Sequence, residues 1–191
     1  MNIDLTTRLV KSMAPYPRKR GRYSASELYF IISGKTTPDS WLNQKEKKVE
    51  DIFKMWDGSS IHHSIQEILS RGYKEQKREW SDFGITIVAK ADYLPGPDDN
   101  VLNSDEVWEF KSSNNLMEVA KPWHEHQTKM YCSLFGKDNG KIFQPIRGKK
   151  SIKLKLIGEV TRDDEWFLEQ AHKLLEFHER VEKLWDKKLD K

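Results

Sequence analysis

The pattern Glu-x-Lys occurs three times in this chain, at Glu46/Lys48, Glu75/Lys77 and Glu109/Lys111. Only the third copy lies in an apolar stretch, VWEFKSS at 107–113. In an extended strand, side chains alternate. Glu109 and Lys111 therefore share one face, and Trp108 and Phe110 turn to the other. A carboxylate beside an ammonium at a strand end can hold a hard divalent cation while the lysine orients water or offsets charge on a phosphate. A surface ion pair is the plain alternative. A second carboxylate gives the pattern weight: Asp92, in VAKADYL, stands 17 residues upstream of Glu109, and the turn-forming LPGPDDN lies between them. Antiparallel pairing of the two strands sets Asp92 beside Glu109, and carboxylates that close repel unless a cation separates them. One or two Mg²⁺ or Mn²⁺ ions are the expected cofactor.

Two flanking segments supply candidate helpers. In GSSIHHSIQEIL, residues 58–69, His62 borders the apolar stripe Ile61, Ile65, Ile68. His63 lies further round, toward Gln66 and Ser70. His62 is thus the inward candidate for a ligand, with a satisfied core histidine as the alternative. In WHEHQTKMYCSLFG, residues 123–136, Gln127 and Tyr131 are four apart and share a helical face that Leu134 extends. They can reach substrate or steady Lys111, or form a polar pair at the core edge. His124 and His126 are expected to face solvent.

These residues need a scaffold. Ser24 and Glu27 form a capping box opening a helix from Ala25 to about Ile32. GKTTPDS reads as a turn, Trp41–Trp56 as a charged helix, and Gly58-Ser-Ser as a break before a second helix from Ile61 to about Gly72. Lys74–Ser81 is polar and reads as a loop or a strand edge. Ile85–Tyr93 is a strand with Ile85, Ile87, Ala89, Ala91 and Tyr93 on one face and Thr86, Val88, Lys90 and Asp92 on the other. Glu106–Lys111 is the next strand. A helix follows from Ala120 or Pro122 to Phe135, then a hairpin of 141–147 and 151–157. The chain closes with an amphipathic helix, 163–189, whose seam is Phe167, Ala171, Leu174, His178, Val181 and Trp185. Helices on a central sheet imply an α/β or α+β domain.

Composition narrows the classes. The 191 residues suit one domain with a real core. No apolar run approaches the ~20 residues of a membrane span, and MNIDLTTRLV lacks a signal-peptide core. No membrane association and a cytoplasmic location are the expectation. The single cysteine, Cys132, can form no internal bridge and cannot by itself hold an iron–sulfur cluster; it reads as a small buried apolar residue. The net charge is only +3, but residues 1–22 carry Arg8, Lys11, Arg18, Lys19, Arg20 and Arg22 against Asp4, six minus one or +5. That stretch reads as a solvated arm or as a phosphate-contacting one. Lys121 and the Arg147-Gly-Lys-Lys150 turn add further cations that could track a nucleic-acid backbone. Trp41, Trp80 and Trp123 can stack bases, although core packing is their commoner use.

The ordered set Gly58-x-x-x-His62, Asp92, Glu109-x-Lys111 and Gln127-x-x-x-Tyr131 resembles the PD-(D/E)XK nuclease superfamily. The similar branch includes RecB nuclease domains, CRISPR-adaptation nucleases and mitochondrial genome maintenance exonucleases. Arg22-Tyr-Ser-Ala-Ser26 is similar to that branch's opening segment, and the resemblance spans roughly residues 22–147. It implies a restriction-endonuclease-like central mixed sheet flanked by helices in a single domain. Residues 1–22 would be a basic arm, 23–160 the nuclease core and 161–191 a C-terminal helix packed on it. It further implies metal ligation by His62, Asp92, Glu109 and the Phe110 carbonyl, with Lys111 as catalytic lysine and Gln127 and Tyr131 contacting DNA. Ala89 stands where members often have glycine, and one cysteine implies the type without an iron–sulfur cluster. The implied activity is metal-dependent hydrolysis of DNA, on free or single-stranded ends by precedent. A non-catalytic nucleic-acid-binding module on the same scaffold, an endonuclease, and an interaction protein docking or dimerising through the C-terminal helix are the rival readings.

Overall fold

The computed structural model describes residues 11–14, 18–69, 73–96, 105–113, 115–148 and 151–189. Arg8, Pro15, Pro17, the 97–100 part of the long turn and Lys149–Lys150 lie outside them. In chain order the elements are β1 Arg22–Ser24, α1 Ala25–Ile32, α2 Pro38–Leu42, α3 Val49–Ile68, β2 Tyr73–Asp82 and β3 Ile85–Leu94. There follow β4 Glu106–Phe110, α4 Pro122–Phe135, β5 Asn139–Arg147, β6 Ile152–Thr161 and α5 Asp164–Leu189.

The six strands form one mixed sheet. β3 is its pivot. β2 runs antiparallel along one edge from Tyr73↔Leu94 to Asp82↔Ile85. The other edge is shared end to end: β1 pairs in parallel with Thr86–Val88, and β4 joins antiparallel at Tyr93↔Trp108. β5 then pairs parallel to β4, across the α4 crossover, and β6 antiparallel to β5. The edge of β3 between Val88 and Asp92 therefore lies in a fork between two strands.

Helices cover both faces. The main core joins Leu28 and Ile31 of α1, Met130 and Cys132 of α4, and Phe167, Ala171, Leu174 and Val181 of α5 to Ile85, Ile87, Ala89 and Ala91 of β3. The opposite face packs Ile61 and Ile65 of α3 on Tyr93, Trp108 and Phe110. Full burial of such side chains contributes roughly 1.5–3 kcal/mol each. α4 seats closely on β5 because Gly140 has no side chain: a Cβ there would meet Thr128 Cγ2 at 2.6 Å and Cys132 Sγ at 2.9 Å. The expected α/β sandwich of one domain is what the chain forms.

Two expected boundaries are wrong. The Trp41–Trp56 helix is two helices: Thr37 and Ser40 cap each other reciprocally and, with Pro38 behind them, start α2 early, and it stops at Asn43. Gly58 breaks nothing. α3 runs through it for 20 residues. Glycine is needed there for close approach, since a Cβ would meet Ser112 Oγ at 2.7 Å. The polar segment after α3 is a full strand, β2, exposed at nearly every position as an edge strand tolerates.

Candidate active site

Asp92 is delivered by a local fault in β3. The β2–β3 register skips the Glu75–Asp92 position, and Glu75 adopts a left-handed φ of 49°. Side-chain alternation reverses there: Ala91 belongs to the main core, whereas Tyr93 packs with Trp108 and Phe110 on the α3 side. The expected single face from Ile85 to Tyr93 is thus broken at Asp92. Its carboxylate turns toward β4, where Oδ2 accepts the Phe110 backbone N–H at 2.7 Å. Its carbonyl accepts from Gln66 Nε2 of α3 at 2.8 Å. The Tyr93↔Trp108 register sets Asp92 opposite Glu109.

Glu109, Lys111 and Gln127 close a hydrogen-bonded ring, and Tyr131 is attached to it through Gln127. Lys111 Nζ donates to Glu109 Oε1 at 2.6 Å and to Gln127 Oε1 at 2.8 Å. Gln127 Nε2 donates to the same Glu109 oxygen at 2.9 Å and to the Tyr131 hydroxyl at 2.7 Å. The i,i+4 spacing on α4 puts amide and phenol on one face, and the Lys111 backbone N–H is fixed to Phe143 O of β5 at 2.8 Å. Burial, then the Asp92 charge, raises the Glu109 carboxyl above its ordinary range, against the pull of Lys111. Burial likewise raises Tyr131 well above a free phenol, so it stays protonated. Glu109 Oε2 is buried with no partner.

His62 enters from α3, with Nδ1 3.5 Å from Asp92 Oδ1 and its ring edge-on to Phe110. Burial works against its imidazolium, and the Asp92 carboxylate outweighs it, so the net shift is upward. Nε2 is buried and unpartnered. His63 is exposed. Among the described residues no three His, Cys, Asp or Glu side chains stand close enough to form a preassembled metal cage. The donor chemistry still suits Mg²⁺ or Mn²⁺. Such ions bind through one or two carboxylates and keep several waters. A buried bare carboxylate oxygen faced by a second carboxylate is a place that such an ion would neutralise.

Gln66 escaped the sequence reading, which placed it on the outward side with His63. It is buried, one turn beyond His62, and anchors Asp92. The i,i+4 spacing from His62 was the available signal. His124 and His126 do not face solvent as expected. Burial lowers both to about 4, and the nearby ammonium groups of Lys111 and Lys121 also act on His124. His126 packs against Trp166 with ring centroids 4.9 Å apart.

The basic arm is less free than its charge suggests. Arg18 pairs with Glu27 at 2.8 Å, Arg20 with Glu182 and Asp186 of α5, and Arg22 with Glu79. Lys19 and Lys121 are exposed, the latter over the Trp123 ring. Trp41 is fully buried and donates to Glu27, and Trp80 packs on Phe167. Cys132 is buried. Trp41 and Cys132 therefore offer no surface to an external ligand, whereas Trp80 is half-buried. Among the described residues no helix is long and apolar enough to cross a membrane.

No protein-family model matches the chain, and no curated protein matches it in sequence. Its fold is similar to several solved structures. The crystal structure of SSO0001 superposes with a TM-score of 0.62 at 15% identity, covering 90% of this chain and 83% of that one. An alkaline exonuclease from Laribacter hongkongensis matches at TM-score 0.56 and 11% identity, over 97% of this chain and 98% of its own. A phage-related exonuclease from Haemophilus somnus 129PT matches at 0.50 and 15%, over 90% and 96%. At such identities the likeness is one of architecture: a mixed sheet flanked by helices, as in these exonucleases.

Proposed function

We propose that this protein is a deoxyribonuclease dependent on Mg²⁺ or Mn²⁺, hydrolysing phosphodiester bonds at free or single-stranded DNA ends. One observation carries the reading. Two carboxylates, Asp92 and Glu109, meet in the fork of the sheet, and the buried Oε2 of Glu109 lacks any partner beside a fixed lysine. The architecture shared with exonucleases supports it, and the Laribacter enzyme has also been crystallised with dAMP.

On this reading Asp92, Glu109 and the Phe110 carbonyl would hold one or two ions, with His62 Nε2 beside them. A bound ion would polarise a phosphate oxygen and lower the pKa of the attacking water. The protein's own groups set the rest. Gln127 holds Lys111 at a defined point, so its ammonium orients the nucleophile and offsets charge gathering on the phosphate oxygens. Tyr131 fixes the amide that does this. His124, kept neutral, adds no competing charge beside Lys111. Exposed Lys19 and Lys121, and the arm arginines when they exchange carboxylates for phosphates, give salt-sensitive backbone contacts. The attacking water gives one proton to solvent as its oxygen bonds to phosphorus, the ester P–O bond breaks, and the departing alkoxide takes a proton from solvent.

The deciding experiment is digestion of end-labelled single-stranded, end-labelled duplex and circular DNA in Mg²⁺, Mn²⁺ and EDTA. Cleavage of linear DNA alone, abolished by EDTA, is the expected result. Cut circles would make the protein an endonuclease, and binding without cutting in either metal would make it a non-catalytic module.

A further inference from the structure

The segment that joins Lys111 to α4 links two parts of the candidate site, the lysine at its start and Gln127 on the helix it leads into. Its described residues, 112–113 and 115–121, form neither helix nor strand. Such a stretch must find its backbone hydrogen bonds outside a ladder. Apolar burial fixes little of it: Leu116 is 65% exposed and Val119 73%, and the other two apolar residues, Met117 and Ala120, pack with Ile142 and Ile157.

The hairpin of β5 and β6 supplies the pins. Lys111 donates its backbone N–H to Phe143 O at 2.8 Å. The next residue of β5, Gln144, is buried and turns its whole amide to the segment. Its Oε1 accepts the Met117 N–H at 2.7 Å, and its Nε2 donates to Asn115 O at 2.7 Å and, at a longer 3.5 Å, to Ser113 O. Lys155 Nζ of β6 donates to Met117 O at 2.8 Å. The last pin uses a fault in the hairpin. The β5–β6 register passes from Ile142↔Gly158 to Phe143↔Leu156 and skips Ile157, whose carbonyl accepts the Ala120 N–H at 2.6 Å. Gly158 makes room for this, since a Cβ there would meet the Ala120 Cβ at 2.7 Å. A buried glutamine and a bulge, both turned to one segment, are features that sheet packing alone does not call for.

We propose that Gln144 is a positioning residue for cleavage: it fixes the course of the chain leaving Lys111 and so sets that ammonium against Gln127. The role rests on the nuclease reading and adds to it a residue outside the cluster of Asp92, Glu109, Lys111 and Gln127. Lys111 Nζ has two partners, Glu109 and Gln127. Glu109 shares the lysine's own strand and moves with it. Gln127 is held by α4, where Thr128 and Cys132 seat the helix on Gly140. The course of the chain beyond Lys111 is set by neither, and Gln144 supplies that constraint. A misplacement of about 1 Å in a reacting group can cost roughly 100-fold in rate.

The test is Gln144→Met, which keeps the length of the side chain and removes its hydrogen bonds. Gln170→Met is the control, a buried glutamine of α5 outside the segment. On end-labelled linear DNA in Mn²⁺, well below the melting temperatures, Gln144→Met should lower kcat about tenfold with KM held, and Gln170→Met should hold both. Lys111→Ala/Gln144→Met should be no slower than Lys111→Ala alone, because a residue acting through the lysine then has nothing to act on. Wild-type kcat in Gln144→Met whatever its KM, an equal fall in Gln170→Met, or an additive loss in the double variant overturns the role and leaves the nuclease reading standing. Should circular dichroism show Gln144→Met unfolded, Lys155→Met decides. It removes the half-buried pin at Met117 O and should lower kcat by a smaller factor, with no further effect in the Lys111→Ala background. Unchanged kcat in that variant overturns the proposal. Wild-type protein that cuts no DNA in either metal removes the nuclease reading and this role together.

Discussion

Strand β4 carries two glutamates that are almost equally buried, Glu106 at 3% and Glu109 at 4% exposure. Each has a lysine ammonium at hand, Lys141 at 2.7 Å and Lys111 at 2.6 Å. They differ in what is left over. Glu106 fills its second oxygen with the Trp108 indole N–H at 2.7 Å. Glu109 loads Oε1 with two donors and leaves Oε2 bare. Burial and an ion pair therefore do not single out a working carboxylate. Within β4 the unfilled oxygen is what sets Glu109, the proposed ion-holding carboxylate, apart from Glu106.

The sharpest way to break this contrast is on the working side. Lys111→Ala should cut DNA hydrolysis by about 10²–10³-fold while the fold persists. A variant that digests labelled DNA at the parent rate would refute the assignment. Neutralising each glutamate comes next. Glu106→Gln should lower stability by about 1–3 kcal/mol and spare cleavage, since it leaves Lys141 half-paired. Glu109→Gln should abolish cleavage and stabilise the metal-free protein, because its carboxyl is raised by burial. The sign follows from linkage. The folded state binds that proton more tightly than the unfolded chain. The stability this confers is present in acid and is lost as pH rises through the folded-state value. Thermal melts of Glu109→Gln and wild type should therefore coincide near pH 4 and separate above it. Parallel melting curves across pH would contradict the raised carboxyl.

A smaller effect is expected at Gln66. Gln66→Leu frees the Asp92 carbonyl, and Mn²⁺ affinity by calorimetry should drop about tenfold, with Gln66→Asn restoring little because its reach is short. Unaltered affinity would reduce Gln66 to packing. The smallest change turns Glu106 into a likeness of Glu109: Trp108→Phe removes one donor and should cost about 1 kcal/mol with cleavage intact. Chemical denaturation would miss any such loss if the indole bond were idle.

What the sequence made legible was local. Strand alternation set Glu109 and Lys111 together, helical spacing paired Gln127 with Tyr131, and the turn between the strands brought Asp92 opposite Glu109. What it hid was non-local. No periodicity announces that Glu75 goes left-handed and reverses β3 at Asp92, or that Gln66 reaches the carbonyl there. The arm's charge was plain, but the acids it meets lie as far off as Glu182 and Asp186. Gly58 misled because glycine permits both a helix end and a close approach, and only the neighbour, Ser112, decides between them.

The unbroken run of α3 has a mechanical consequence. At 1.5 Å per residue its 20 residues make a strut of roughly 30 Å, with Phe53 and His62 about 14 Å apart on the same rod. Pressure on the outer end cannot be absorbed at a hinge near Gly58. The same uninterrupted helix carries His62 and Gln66, whose amide donates to the Asp92 carbonyl. Its solvent-facing tip and the residue that anchors Asp92 are thus parts of one rigid element.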